Sequence, residues 1–82
     1  MKDKYSEHKE YWDGKRLQMH LKYKNNDLHG NQRWYYENGN IALEENYKNG
    51  MKHGIQKIYY YDGNLWHHYR KYNGKTEGIV IE

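Results

Sequence analysis

The chain has 82 residues, a formal net charge of +3 and no Cys, which excludes disulfide staples and thiolate metal sites. Its apolar complement is mostly aromatic: eleven Tyr and three Trp stand against five Leu, five Ile, three Met, one Val and one Ala, with no Phe. A chain this short buries only about 60–65% of its unfolded surface, so the composition predicts one small domain with a thin core built largely from rings.

Taken from the N-terminus, the first signal is the aromatic-turn run Tyr11-Trp12-Asp13-Gly14. Leu17, Met19, Leu21 and Tyr23 then alternate with Gln18, His20, Lys22 and Lys24, the two-residue period of a strand with one apolar face. Residues 29–52 (HGNQRWYYENGNIALEENYKNGMK) and 53–76 (HGIQKIYYYDGNLWHHYRKYNGKT) follow as two copies of a 24-residue unit. Nine of the 24 aligned positions are identical, where composition alone gives about two. Residues 5–28 are a degenerate copy, matched through Tyr23–Gly30 (YKNNDLHG) to Tyr47–Gly54 (YKNGMKHG); it reads as one residue shorter before its first turn and one longer after it. Residues 77–82 open a terminal half-unit, with Gly78 24 residues after Gly54.

Each clear unit carries two turn signals, Asn38-Gly39 and Asn49-Gly50, then Asp62-Gly63 and Asn73-Gly74. Asn-Gly and Asp-Gly supply the positive φ of tight hairpins. The segments between are strand length and too short for helices. The predicted fold is all-β: an antiparallel β-hairpin meander of 24-residue period, forming an elongated, twisted single sheet over residues 1–82.

Alternation assigns two faces. Trp12, Leu17, Met19, Leu21, Tyr23, Trp34, Tyr36, Ile41, Leu43, Tyr47, Ile58, Tyr60, Leu65 and Tyr69 fall inward. Lys9, Tyr11, Arg33, Tyr35, Lys57, Tyr59, Trp66, His68 and Arg70 fall outward. Glu45 and His67 land on the inward face, and Lys71-Tyr72 reverses the Tyr47-Lys48 order; a bulge or a sheet rim is expected there.

The runs Tyr35-Tyr36-x-Asn38-Gly39-Asn40-Ile41, Tyr47-Lys48-Asn49-Gly50 and His53-Gly54 recur as Tyr59-Tyr60-x-Asp62-Gly63-Asn64-Leu65, Tyr72-Asn73-Gly74 and Glu77-Gly78. This pattern resembles the MORN-repeat variant, also called the YwqK-type antitoxin repeat, over about residues 5–82. The resemblance implies a twisted antiparallel sheet of hairpins. It also implies a binding role, since the family is widely labelled as antitoxins or immunity proteins that block a toxin, and related MORN proteins are protein- or lipid-binding scaffolds. The family motif contains no catalytic residue.

The inventory agrees with a non-enzyme. Ser6 and Thr76 are the only hydroxyl nucleophiles of their kinds and stand near opposite ends of the chain, with no base evidently beside either. Glu37, Glu44 and Glu45 need a pocket to act as acid and base, which a single-layer sheet does not offer. Among the six His, the adjacent His67 and His68 point to opposite faces, while His29 and His53 read as turn-edge residues; no set has a zinc spacing. No cofactor and no metal is expected.

Tyr11, Arg33, Tyr35, Tyr59, Trp66, His68 and Arg70 are the candidate partner-binding residues, because Tyr, Trp and Arg dominate protein-binding hot spots. Trp66 is singled out, since its counterpart Ala42 shows that the repeat does not demand a ring there. The aliphatic segment Gly78–Glu82 is an edge-strand candidate, with Ile79, Val80 and Ile81 closing the sheet or pairing with a second chain as a homodimer. The expected function is an antitoxin, immunity or phage-encoded inhibitor that sterically blocks a target protein. A scaffold or lipid-surface adaptor is the first alternative, and single-stranded nucleic-acid binding through basic and aromatic residues the second. With no apolar run near the length of a membrane span and no signal-peptide stretch at its start, the chain is expected in the cytoplasm.

Overall fold

A backbone punctuated by Gly or Asn every few residues favours tight reversals over helix. The computed structural model describes residues 2–76, which contain strands and turns and no helix. In chain order the strands are β1 (Tyr5–Tyr11), β2 (Leu17–Lys24), β3 (Asp27–Leu28), β4 (Gly30–Tyr35), β5 (Ile41–Lys48), β6 (Met51–Lys52), β7 (Gly54–Tyr59), β8 (Leu65–Tyr72) and β9 (Lys75–Thr76). They pair antiparallel in one sheet along the path β1-β2-β4-β5-β7-β8-β9, with β3 also on β2 and β6 also on β5. The fold is the expected all-β hairpin meander. Ile79, Val80 and Ile81, expected at an edge, lie outside the described residues.

The 24-residue period is kept at every strand. β2, β5 and β8 begin at residues 17, 41 and 65, and β1, β4 and β7 end at residues 11, 35 and 59. The offset expected in the first copy is therefore confined to its turn, where the Asp and Gly stand one place earlier. Trp12 N–H still bonds the Arg16 carbonyl at 2.8 Å, as Tyr36 does Asn40 and Tyr60 does Asn64.

Two turn types alternate. Asn49 and Gly50 both have positive φ (50° and 87°), as do Asn73 and Gly74 (47° and 84°), the signature of a two-residue type I′ hairpin. The first copy makes the same turn with Asn25 and Asn26 (51° and 71°). In the wider turns only the Gly is left-handed. Asn38 Oδ1 accepts the Asn40 N–H at 3.0 Å, and Gly39, at φ 94°, donates to the Tyr36 carbonyl at 3.0 Å. A Cβ at Gly39 would meet no atom within 4 Å, so substitution there tests backbone conformation alone. Gly39→Ala is expected to destabilise the chain by about 1–2 kcal/mol, read as a lowered urea midpoint with unchanged slope. An unchanged midpoint would refute the conformational requirement.

Successive units dock through equivalent polar contacts. Trp12 Nε1–H donates to the Tyr35 carbonyl at 3.3 Å, and Tyr36, 24 residues on, donates its hydroxyl to the Tyr59 carbonyl at 2.6 Å. Arg16 Nη1 reaches the Glu37 carbonyl at 2.9 Å, and Asn40 Nδ2 reaches the Tyr61 carbonyl at 3.0 Å. Different side chains at one repeat position thus satisfy the same turn carbonyl of the next unit.

Where each unit meets the next, the ladder opens. β2 pairs β4 only through Met19↔Trp34 and His20↔Arg33, and β3 through Tyr23↔Leu28 and Lys24↔Asp27. Residues 29–32 thus oppose only residues 21 and 22, and the gap is filled by the Gln32 side chain. Its Oε1 accepts the Lys22 N–H, and its Nε2 donates to the carbonyls of Lys22 (3.0 Å) and Gly30 (3.2 Å). Gln56 does the same one unit later. Its Oε1 accepts the Asn46 N–H at 2.8 Å, and its Nε2 donates to the carbonyls of Asn46 (3.2 Å) and Gly54 (3.1 Å). A primary amide has the donor and acceptor of a peptide group, so it replaces the missing rungs.

Among the described residues no hydrophobic side chain is buried; Gln32 and Gln56 (both 0% exposed) and Glu45 (8%) are the buried ones. The sheet measures 41 × 37 × 11 Å, one layer thick. The thin aromatic core expected from composition is thus a half-covered face. Glu45 lies on that face because Lys52 Nζ meets its Oε2 at 2.9 Å and the Tyr47 hydroxyl donates to its Oε1 at 3.2 Å, rather than through a bulge.

Candidate partner-binding face

Residues directly opposite in an antiparallel ladder share a face. The register therefore gives a transverse row Lys9↔His20↔Arg33↔Glu44↔Lys57↔His68 across six strands. The next row, on the other face, is Glu10↔Met19↔Trp34↔Leu43↔Ile58↔His67. Continuing the alternation divides the strand charges unequally. One face holds Lys9, Lys22, Lys24, Arg33, Lys48, Lys57 and Arg70 against Glu7, Asp27 and Glu44. The other holds Lys52 and Lys71 against Glu10 and Glu45. Over β1–β8 the first is basic by four charges, the second neutral and apolar. A modest overall charge hides this segregation.

Two of the three acids on the basic face, Glu44 and Glu7, are held by Arg33 and His20. Glu44 Oε2 lies 3.0 Å from Arg33 Nε, which also donates to Asn31 Oδ1 at 2.8 Å. The neighbouring Tyr35, and then the Glu44 carboxylate, raise the Arg33 guanidinium above its usual pKa. Glu7 Oε1 contacts His20 Nε2 at 2.5 Å, and that hydrogen bond lowers the Glu7 carboxyl. Charges of both signs are therefore fixed at set positions.

Of the residues singled out in the sequence, Arg33 and His68 stand in the basic row, and Arg70 is exposed on the same face opposite Ile55. Tyr11, Tyr35 and Tyr59 occupy equivalent places where the register shifts, after Glu10, Trp34 and Ile58. Tyr11 is exposed, whereas Tyr35 and Tyr59 are half-buried. Trp66 leaves this group. It is the residue skipped between Ile58↔His67 and Tyr59↔Leu65, and its ring centroid lies 5.8 Å from His67 and 6.4 Å from Tyr60. Neighbours on a regular strand point apart, so a bulge is what brings these rings together. His67 continues to Tyr69 at 5.8 Å, giving an aromatic run at the margin of the apolar face that is exposed at Tyr60 and Trp66 and half-buried at His67 and Tyr69. Beyond the bulge the register is regular, and the Lys71-Tyr72 inversion places Lys71 Nζ 5.6 Å from the Tyr69 ring centroid.

Alternation along the sequence already places Lys9, Arg33, Lys57, His68 and Arg70 on one face, as the register does. Sequence reasoning missed their alignment with His20 and Glu44 in a transverse row, the net charge of each face and the two rung-replacing Gln. The last was readable, because Gln32 and Gln56 are identical residues at repeat spacing, whereas the row needs the register. Among the described residues no group of three or more His, Cys, Asp or Glu is placed to hold a metal ion, and no helix is long and apolar enough to cross a membrane. A shallow groove lined by His29, Asn46, Tyr47, Lys48, His53, Gly54 and Ile55 lies where two units meet.

The sequence model described as MORN repeat variant matches residues 28–49 and 52–70, half of the chain and the same two units that the internal repeat defines. No match was found among curated proteins or solved structures.

Proposed function

This chain belongs to the MORN repeat variant family, a repeat module of a kind that binds proteins or membranes, and from that premise we propose that it is a non-enzymatic, cytoplasmic module that binds an acidic surface of a target protein and blocks it sterically, as an antitoxin, immunity protein or other inhibitor. The observation that carries the reading is the transverse row Lys9, His20, Arg33, Glu44, Lys57 and His68 on an open face with an excess of four positive charges. Fixed charges in register select a partner by matching its own pattern and steer the encounter. Blocking needs only occupancy by a rigid slab, so no reacting group is required of the chain. A scaffold or membrane-surface adaptor would use the same face.

Capture of the target by the tagged full chain, followed by titration, tests this. Lys9→Glu, Arg33→Glu and Lys57→Glu together are expected to weaken target binding by about a hundredfold or more, with the β-sheet circular dichroism retained. A folded triple variant with native affinity would overturn the assignment of the face.

The same excess of positive charge, interleaved with Tyr5, Tyr35 and Tyr59, supports a second reading, single-stranded nucleic-acid binding by stacking and phosphate contacts. Against it, Glu7 and Glu44 lie within the basic patch and already occupy His20 and Arg33. Absence of binding to a labelled oligothymidylate at low salt would remove this reading, since the electrostatic contribution is strongest there.

A further inference from the structure

The apolar face is left uncovered in a single chain. Met19, Leu21, Trp34, Leu43 and Ile58 are only half-buried on it, and no hydrophobic side chain among the described residues is buried. Stable domains cover such a face with a second layer, and this sheet is 11 Å thick.

We propose that the second layer is the same face of another copy, so that two chains stack as a β-sandwich dimer. Three features favour a second copy. First, the face is neutral, with Lys52 and Lys71 balancing Glu10 and Glu45, and its central ion pair, Glu45 with Lys52, is closed within one chain. A twofold contact places a surface against itself. Self-stacking is thus electrically neutral here, whereas the opposite face would bring two excesses of four positive charges together.

Second, the two carboxamides and the carboxylate at the centre of the face are already satisfied. Gln32 and Gln56 each engage three backbone groups, and Glu45 takes both Lys52 and the Tyr47 hydroxyl. Covering them strands no donor or acceptor, and stranding is the usual penalty for burying polar groups. Third, in-plane extents of 41 × 37 Å give a footprint well above the roughly 800 Å² per partner of a standard interface. Sheets stack about 10 Å apart with their strands nearly aligned. Such a dimer turns both basic faces outward and offers a target two equivalent surfaces. It differs from the edge-strand dimer expected through Ile79, Val80 and Ile81.

Sedimentation equilibrium of the full chain is expected to give twice the chain mass, reverting to the single mass on dilution. Tryptophan quenching by acrylamide should rise through that same dilution, because Trp34 lies in the covered face; an edge-paired dimer would leave quenching unchanged. Leu43→Lys and Leu43→Glu should each raise the dimer dissociation constant by about a hundredfold or more, and mixing the two should restore a dimer, which also shows that both fold. Lys57→Glu, on the basic face, and deletion of residues 79–82 should leave the dimer intact. A native chain that is monomeric throughout, quenching that does not follow the mass, or a dimer lost with residues 79–82 would each overturn the proposal. The basic-face triple variant reads target binding separately, so either reading can fail without the other.

Discussion

Gln56→Ala is expected to remove about 2–4 kcal/mol of folding stability, a large share of what a chain this size possesses. The side chain is fully buried and replaces a rung between β5 and the segment entering β7. Without it the Asn46 N–H loses its acceptor, and the Gly54 carbonyl loses a donor. The Asn46 carbonyl keeps the His53 N–H at 2.8 Å, so two groups rather than three are stranded. Each costs about 1–3 kcal/mol when left unpaired away from water, with a smaller addition for the vacated volume. Gln56→Glu should be worse at neutral pH, because a carboxylate oxygen then faces the Asn46 and Gly54 carbonyls. Its protonated form restores a donor, so the folded pKa must rise above the unfolded value of about 4.3. Stability of that variant is then greatest below about pH 4 and falls as pH rises through the folded value. Urea denaturation at two pH values checks both substitutions. Alanine tolerated without loss would show that the opening between units needs no filler.

Lys52→Met is the second large effect, expected at about 1–3 kcal/mol. Breaking a well-buried ion pair from one side costs about 3–5 kcal/mol, and an exposed pair is worth under about 1. This pair is intermediate, with side-chain exposures of 11% for Glu45 and 32% for Lys52. The variant leaves a carboxylate on the apolar face with only the Tyr47 hydroxyl beside it. The double variant Glu45→Leu/Lys52→Met removes the stranded charge and should match or exceed the native chain, as replaced buried pairs often do. The hydrogen bond to Glu45 raises the Lys52 ammonium above its ordinary pKa. The pair's contribution is therefore complete below about pH 10.4 and disappears as pH rises through the raised value. In strongly alkaline solution Lys52→Met and the native chain should converge. A double variant as unstable as the single one would show that Glu45 serves something other than its ion pair. Burial also raises the Tyr47 phenol, so that hydroxyl remains a donor to Glu45 throughout the neutral range.

Both predictions concern residues whose importance was unequally visible beforehand. Gln56 sits at a repeat-identical position, yet a Gln in a strand reads as ordinary polar cover until the local pairing is known. Glu45 was legible as an anomaly on an apolar face, but its partner was not, because Lys52 follows a turn whose short return strand brings it opposite Tyr47. The bulges at Glu10/Tyr11, Trp34/Tyr35 and Ile58/Tyr59 recur at repeat spacing. Only the last was anticipated in outline, through the misplaced His67.

What the amino-acid order alone determined was local: reversals where Asn or Asp meets Gly, strands where apolar and polar residues alternate, and a 24-residue period joining them into a meander. These follow from φ preferences and side-chain period, which act within a few residues. Tertiary structure decided which side chains share a row, because cross-strand neighbours such as Arg33 and His20 are separated along the chain and meet only through register. A one-residue slip would move every charge to the opposite face. The split into a basic face and a neutral apolar face, the turning of Trp66 toward His67, and the conversion of two Gln side chains into rungs all depend on that pairing.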